Sequence, residues 1–341
     1  SPPALAAAAK ASASAGASFP TQANESVDQL LTRLGPMFFD PNVDPSVTNK
    51  TPGQGRDILS SSANNLYSGV TLADLSGFTE KYGLNSRLVK NNGRLVEDVY
   101  RVGGRYDKEI RQIIGHLEAA TPFATAPTAN ALRALIQFYK TGENHDRVKY
   151  DIAWVADQSS PVDTINGFIE VYMDPRGIKG SWEGIVFYVN KEKTERIQTF
   201  ANNAQWFEDH MPYDAKYRKS DVKGIIANAI DVVIETGDSG PVTPIGINLP
   251  NDQRIREQYG SKSVSLSNVR EASDNALPAS MRTEFSWTPE EADRTLKFGA
   301  LSAELLTDMH EVIGHASGQQ AAGFKGTPQE AIKEHFSALE E

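Results

Sequence analysis

Two histidines and a glutamate lie within the six residues 310–315, which read HEVIGH. Imidazoles and carboxylates bind zinc in hydrolytic sites, and a nearby carboxylate can take a proton from the attacking water. In the common pattern H-E-x-x-H the histidines are four residues apart and share one face of an α-helix. His310 and His315 are five apart, a rotation of roughly 140° on a regular helix, so binding one ion requires a local widening of the π type. Gly314 lies where such a bulge costs least.

The segment therefore predicts a metal site in which His310 and His315 are ligands and Glu311 is the general base. Apolar residues recur at helical spacing from 298 to 313, which predicts a buried helix that carries these groups. The alternative is a set of ordinary polar residues on a helix surface.

Further along the chain, the letters TPQE at 327–330 are typical of a helix start with threonine as N-cap. This helix would carry Glu340 and Glu341. A helix-loop-helix that returns a carboxylate to the two imidazoles supplies a third ligand and leaves one coordination position for water. The alternative for both glutamates is a solvated acidic helix end.

The pattern H-E-x-x-G-H resembles the zinc motif of the dipeptidyl peptidase III family. The family's second motif begins with two glutamates and is similar in these letters to Glu340 and Glu341. The resemblance implies a zinc metallopeptidase with one Zn²⁺ per chain, in which Glu341 is the third ligand and Glu340 orients an imidazole. The rest of that motif would follow residue 341, so we expect the missing C-terminal portion of the same polypeptide as a partner.

Residues 167–175, GFIEVYMDP, resemble the family's substrate-binding strand. The resemblance implies that Glu170 holds the free ammonium of a peptide and that Tyr172 supports the oxyanion formed during hydrolysis. Both roles suit the groups, because a carboxylate binds an amine and a phenol donates to developing negative charge. The alternation of Phe168, Glu170 and Tyr172 alone predicts only a half-buried strand with Glu170 facing solvent.

Residues 244–251, PIGINLPN, resemble a family loop whose asparagines bind the peptide backbone. The resemblance assigns this role to Asn248 and Asn251, whose side-chain amides offer both a donor and an acceptor. The alternative is a turn that binds no ligand. Segments 67–71 and 84–90 also resemble the family, without an assigned chemistry.

Residues 237–241, GDSGP, are similar to the nucleophile segment of chymotrypsin-like serine proteases, which would make Ser239 a nucleophile. The chain lacks the cysteines and the histidine segment usual around such a site, and the same letters form a plain turn. The other histidines are interpreted as surface or structural residues: His116, His145, His210 and His335.

Composition favours a globular protein. The chain has 341 residues, 39% hydrophobic and 23% charged, and no apolar run reaches the length of a membrane span. Its formal net charge of -10 argues against nucleic acid as a partner and mildly favours amine-bearing ligands. Since cysteine is absent, a metal must be held by nitrogen and oxygen.

The N-terminal stretch is rich in alanine and serine and is similar to the region after a removed export signal. It predicts disorder over residues 1–20 and a periplasmic or exported location, with the cytoplasm as the alternative.

Hydrophobic periodicity predicts an α+β fold without internal repeats. Helices are predicted at 27–34, 71–82, 106–120, 129–140, 192–209, 221–235 and 289–341, and strands at 150–155, 167–172, 184–189 and 242–247.

The family resemblance implies two lobes separated by a wide cleft that closes over a peptide. A lower lobe with a small β-barrel or sheet core would hold 1–190 and 232–274. A mainly helical, zinc-bearing upper lobe would hold 191–231 and 275–341.

The leading hypothesis is a zinc-dependent dipeptidyl aminopeptidase that removes dipeptides from the N-terminus of short peptides. Two alternatives stay open. One is a non-catalytic or incomplete peptide-binding fragment, and the other is a zinc hydrolase of the same fold with a different substrate.

Overall fold

The computed structural model describes residues 2–40, 48–222, 225–240, 243–315, 317–319 and 323. The chain forms two compact units. The first comprises Ser1–Glu80, Arg87–Glu97 and Tyr172–Gly177, and the second comprises Lys81–Ser86, Asp98–Val171 and Ile178–Glu341. Across the described ranges, no helix has both the length and the apolar character needed to cross a membrane.

The first unit begins with two helices, α1 (Pro2–Ser14) and α2 (Val27–Phe39). Disorder over residues 1–20 stays a prediction; the structure has a helix over part of this range, where alanine, the residue of highest helix propensity, is abundant. Helix α2 begins with a capping box between Ser26 and Gln29 and extends beyond its predicted end.

A small sheet in the order β1-β2-β3 follows, with strands β1 (Tyr67–Ser68), β2 (Ser86–Asn91) and β3 (Arg94–Val99). The helix predicted over 71–82 is reduced to a 3₁₀ turn, Leu72–Leu75, which Thr71 caps. Gly77 follows in the left-handed region at φ 79°, a conformation that ends a helix.

The segment Tyr172–Gly177 belongs to the first unit and is fixed by polar contacts. The hydroxyl of Tyr67 donates to Asp174 at 2.7 Å, and the guanidinium of Arg176 pairs with Glu80. Because Asp174 is fully buried, these bonds hold the segment in place.

The second unit contains three consecutive helices, α3 (Asp107–Ala120), α4 (Ala126–Thr141) and α5 (Asn144–Ala156). The helices predicted at α3 and α4 are confirmed, and Gly142 closes α4 at φ 68°. The strand predicted over 150–155 is wrong, because these residues lie in α5. Tyr150 and Trp154 are four residues apart and both buried, a helical spacing that their high β-propensity conceals.

A five-stranded sheet in the order β4-β5-β6-β8-β7 forms the centre of the second unit. Its strands are β4 (Val162–Phe168), β5 (Trp182–Val189), β6 (Ile225–Gly237), β7 (Gly246–Leu249) and β8 (Ser261–Leu266). All neighbouring pairs are antiparallel except β6 and β8, which run parallel. The helix predicted over 221–235 is wrong, because this stretch, rich in isoleucine and valine, forms the central strand β6.

The strand predicted over 184–189 is confirmed as part of β5. The strands predicted over 167–172 and 242–247 overlap only partly with β4 and β7, since β4 ends at Phe168 and β7 begins at Gly246.

The five-stranded sheet curls into a half-barrel. Strands β4 and β8 are separated by two others, so their side chains would be roughly 14 Å apart across a flat sheet. Yet the ammonium of Lys262 on β8 lies 2.8 Å from the carboxylate of Asp163 on β4, and both side chains are buried. The indole of Trp154 also donates to Asp163, at 3.2 Å. This buried pair therefore joins the two strands across the curl.

The remaining helices are α6 (Lys191–Asn202), α7 (Ala204–His210), α8 (Gln253–Tyr259), α9 (Ser267–Ala276), α10 (Ala279–Glu284) and α11 (Pro289–Met309). The helix predicted over 192–209 is confirmed in two pieces, which divide at Asn203. The helix predicted from 289 is confirmed as far as Met309, and its predicted continuation beyond 323 lies outside the described residues.

These elements confirm the predicted α+β class. The proposed division into 1–190 with 232–274 and 191–231 with 275–341 stays a prediction, since parts of both segments fall in the second unit.

The central position of β6 in the sheet predicts that substitutions of its buried residues lower the free energy of unfolding. Replacement of Ile230, which is 0% exposed, by alanine should lower the free energy of unfolding by about 2–5 kcal/mol. Replacement of Val233, 66% exposed on the same strand, should change it by less than about 0.5 kcal/mol. Urea unfolding of both variants checks this, and equal losses would contradict the position of β6.

Candidate metal centre

A single turn of π-helix, His310–Gly314, follows α11 directly. The N–H of His315 donates to the carbonyl of His310 at 3.0 Å, five residues back instead of four. The widening required by the five-residue spacing is therefore present in the backbone.

The widened turn brings the two imidazoles together. The ring centroids of His310 and His315 are 4.9 Å apart and the rings are nearly perpendicular, at 84°. Ligand atoms of both histidines and of Glu311 lie within 4.8 Å of one another. These nitrogen and oxygen donors match the groups that bind zinc in proteins without cysteine ligands, so the three side chains fit a metal site.

The electrostatics of His315 favour its neutral form. Partial burial, the nearby positive charge of Arg256 and the neighbouring His310 lower the pKa of His315 to about 4. Its ring therefore keeps a free lone pair at neutral pH, which metal binding requires.

The carboxylate of Glu311 is buried and lies against a glycine. A Cβ added to Gly246, the first residue of β7, would be 2.3 Å from Oε1 of Glu311. No other residue fits there without moving the carboxylate. The hydroxyl of Ser263 on β8 donates to the main-chain carbonyl of Glu311 at 2.8 Å, so the edge of the sheet holds both ends of this residue.

Apolar side chains anchor the turn on its other face. Val312 and Ile313 are buried in a cluster with Ile197 of α6 and with Ala227 and Ala229 of β6. The burial of these two residues therefore fixes which side of the turn carries the metal ligands.

A second group of polar residues surrounds the end of β7. The amide of Asn251 donates to both carboxylate oxygens of Glu170, at 3.3 Å each. The guanidinium of Arg256 donates to the carbonyls of Pro250 at 2.6 Å and Asn248 at 3.0 Å, and to the side-chain oxygen of Asn251 at 3.2 Å. Arg256 thus fixes the loop and turns the amide of Asn251 toward Glu170.

Further carboxylates lie around Glu170, which is half-buried just beyond the end of β4. Glu183 on β5 is almost fully buried, and burial together with the negative charges of Glu170 and Asp238 raises its pKa to about 8. At neutral pH Glu183 is therefore protonated, and a cation bound nearby would favour its ionised form. Glu170 itself is partly exposed, and its role in binding a peptide ammonium stays a prediction.

Sequence reasoning missed Glu183, Arg256, Ser263 and Gly246. Their contacts depend on strand register, and register is not a local pattern. The available signal was the position of Gly246 within the segment 244–251, which resembles the family.

Other candidate residues have different outcomes. Tyr172 lies in the first unit and is 56% exposed, and its role stays a prediction. Glu340 and Glu341 lie outside the described residues. Ser239 is buried in the turn after β6, and its hydroxyl donates to the carbonyl of Thr236, so the turn interpretation of that motif is confirmed.

A π-widened helix that presents two imidazoles and a buried carboxylate defines a candidate metal-dependent hydrolase. The chain belongs to Peptidase family M49, whose family model matches residues 67–325. The predicted family relationship is thereby confirmed.

Individual relatives agree with this family. The chain is 32% identical over 234 residues to dipeptidyl peptidase 3 of Dictyostelium discoideum, a match that covers 67% of this chain and 31% of that protein. It is similar in fold to DPP III from Caldithrix abyssi (TM-score 0.68, 22% identity, 92% of this chain and 60% of that one). The dipeptidyl-peptidase III of Corallococcus sp. strain EGB also matches, at TM-score 0.63 and 21% identity, over 75% of this chain and 48% of that one. The chain thus spans about a third of its curated relative.

The raised pKa of Glu183 predicts a pH dependence of stability. The folded chain keeps this proton up to about pH 8, whereas the unfolded chain releases it near 4.5, so stability falls as pH rises through this window. Between pH 5 and 8.5 the wild type should lose at least about 1.4 kcal/mol more than Glu183→Gln, the free energy of one pKa unit. Urea unfolding at pH 5 and at pH 8.5 measures the free energy of unfolding of both proteins. Glu192→Gln, which alters an exposed acid on α6, should follow the wild type.

Proposed function

We propose that this chain carries the metal-binding part of a zinc-dependent dipeptidyl peptidase that removes dipeptides from the N-terminus of short peptides. The observation that carries the proposal is the π turn that brings His310, Glu311 and His315 together. Membership of Peptidase family M49 and the similarity to dipeptidyl peptidase 3 of Dictyostelium discoideum support it.

His310 and His315 would hold the zinc, and the family resemblance assigns the third ligand to Glu341. When bound, zinc polarises the scissile carbonyl and lowers the pKa of water. The chain's own residues perform the rest of the reaction.

Glu311 acts as the general base. Its carboxylate is buried, held against Gly246, with Oε2 at 3.9 Å from Nε2 of His315. From this position it accepts a proton from the attacking water and donates it to the leaving amine. The contact with the glycine keeps the carboxylate from swinging away between the two transfers.

Glu170 and its neighbours select the free N-terminus. The carboxylate of Glu170, oriented by Asn251, pairs with the peptide ammonium, whose positive charge would also favour the ionised form of the neighbouring Glu183. Asn248 and Asn251 align the peptide backbone. Tyr172 is proposed to steady the oxyanion.

The central test is zinc content together with cleavage of a dipeptidyl-arylamide. We expect one zinc per chain, and Glu311→Gln should keep the zinc while slowing cleavage by about 10²- to 10⁴-fold, the usual contribution of a general base. Zinc without cleavage in the wild type would identify an incomplete peptide-binding fragment. A chain that binds no zinc would contradict the site.

The role of Glu170 predicts a dependence on the substrate amine. Glu170→Gln should lower kcat/KM for the dipeptidyl-arylamide by about 10- to 100-fold, because a charged hydrogen bond to the ammonium is lost. On the N-acetylated substrate, which lacks the ammonium, the wild type and Glu170→Gln should have the same low kcat/KM. Full activity of Glu170→Gln would favour a zinc hydrolase with a different substrate.

The contact at Gly246 makes a separate prediction. Gly246→Ala should slow cleavage by at least about tenfold, because its Cβ displaces the carboxylate of the base, while zinc content stays unchanged. Gly115→Ala is the matched control, since a Cβ there meets nothing within 4 Å. Unchanged cleavage by Gly246→Ala would contradict Glu311 as the base.

A further inference from the structure

Ser263 on β8 lies between two residues of the proposed site. Its hydroxyl donates to the main-chain carbonyl of Glu311 at 2.8 Å and accepts from the side-chain amide of Asn248 at 2.6 Å. The serine is 2% exposed, so these protein groups account for its hydrogen bonding.

The chemistry of the hydroxyl determines the orientation of the asparagine. A serine hydroxyl has one hydrogen, and a carbonyl can only accept, so that hydrogen goes to Glu311. The oxygen of Ser263 then offers only lone pairs to Asn248, which must turn its NH₂ group toward the serine. The hydroxyl of Ser261, at 3.3 Å, accepts from the same NH₂ group.

The remaining polar atom of Asn248 is its side-chain oxygen. This oxygen is enclosed and has no hydrogen-bond partner among the described residues. A buried acceptor without a donor is costly, so a donor that reaches it gains free energy. Asn248 pairs with Ser263 in the sheet, and its own carbonyl is held by the Arg256 that also holds Asn251.

We propose that Ser263 is a positioning residue that makes Asn248 an obligatory acceptor, so that the site selects a backbone N–H of the peptide at this position. The inference rests on the proposed function of the site as a peptidase. The peptide has to displace the groups that now enclose the oxygen. The same hydroxyl also donates to the main-chain carbonyl of Glu311, so this serine positions both a peptide-binding residue and the general base.

The test compares tetra-alanine with three analogues, each with one backbone N–H replaced by an ester oxygen. Their inhibition constants are measured against dipeptidyl-arylamide cleavage by the zinc-loaded chain. In the wild type, one analogue should bind about tenfold more weakly than tetra-alanine, since it lacks the donor for Asn248. In Ser263→Ala this penalty should shrink to about twofold or less, because the amide of Asn248 can then turn around.

Kinetics of the same variants test the link to the base. Ser263→Ala should lower kcat about fivefold with zinc content unchanged, because the carbonyl of Glu311 loses its donor. Ser263→Thr keeps the hydroxyl and should restore both kcat and the ester penalty. Ser261→Ala is the matched control, since Ser261 contacts Asn248 without contacting Glu311.

An ester penalty that is equal in the wild type and Ser263→Ala, or absent at all three positions, would overturn the inference while leaving the peptidase assignment intact. If the wild type cleaved no dipeptidyl-arylamide, the proposed function would fail, and this inference would fail with it.

Discussion

The candidate site depends on one backbone constraint, the extra residue in the turn between His310 and His315. On a regular helix these imidazoles would point in different directions, and no ion could contact both. A π turn costs hydrogen-bond geometry, so neighbouring contacts have to hold it. Buried Val312 and Ile313 supply apolar packing on one face, and Ser263 supplies a hydrogen bond to the main chain.

The curled sheet provides these supports. Strand β6 lies in its middle and contributes alanines to the cluster beneath the turn, while β7 and β8 at one edge contact Glu311. Small residues are needed at both places. Alanine on β6 and glycine at position 246 let the helix approach the sheet closely enough for the carboxylate to be enclosed.

The parts of the structure that follow local patterns could be predicted from sequence. The π widening follows from the spacing of two histidines, and α3 and α4 follow from helical periodicity. Where tertiary packing decides, local patterns failed: β6 was predicted as a helix, and Tyr150 and Trp154 were predicted on a strand. The neighbours of Glu170 could not be predicted from the sequence for a similar reason, since the register of β4 and β5 is what brings Glu183 close to it. Arg256 also acts through a loop whose shape no short pattern encodes.

The two halves of the site differ in the sequence separation of their contacts, and this has a consequence for folding. The imidazoles are five residues apart, whereas Asn251 and Glu170 are separated by 81 positions and Ser263 and Glu311 by 48. Closing long loops costs more chain entropy, so the polar contacts of the peptide-binding half depend wholly on the folded sheet. The π turn needs the same sheet, through Ser263 and through the alanines of β6, so pairing of β6 with β8 is a step that both metal binding and peptide binding share.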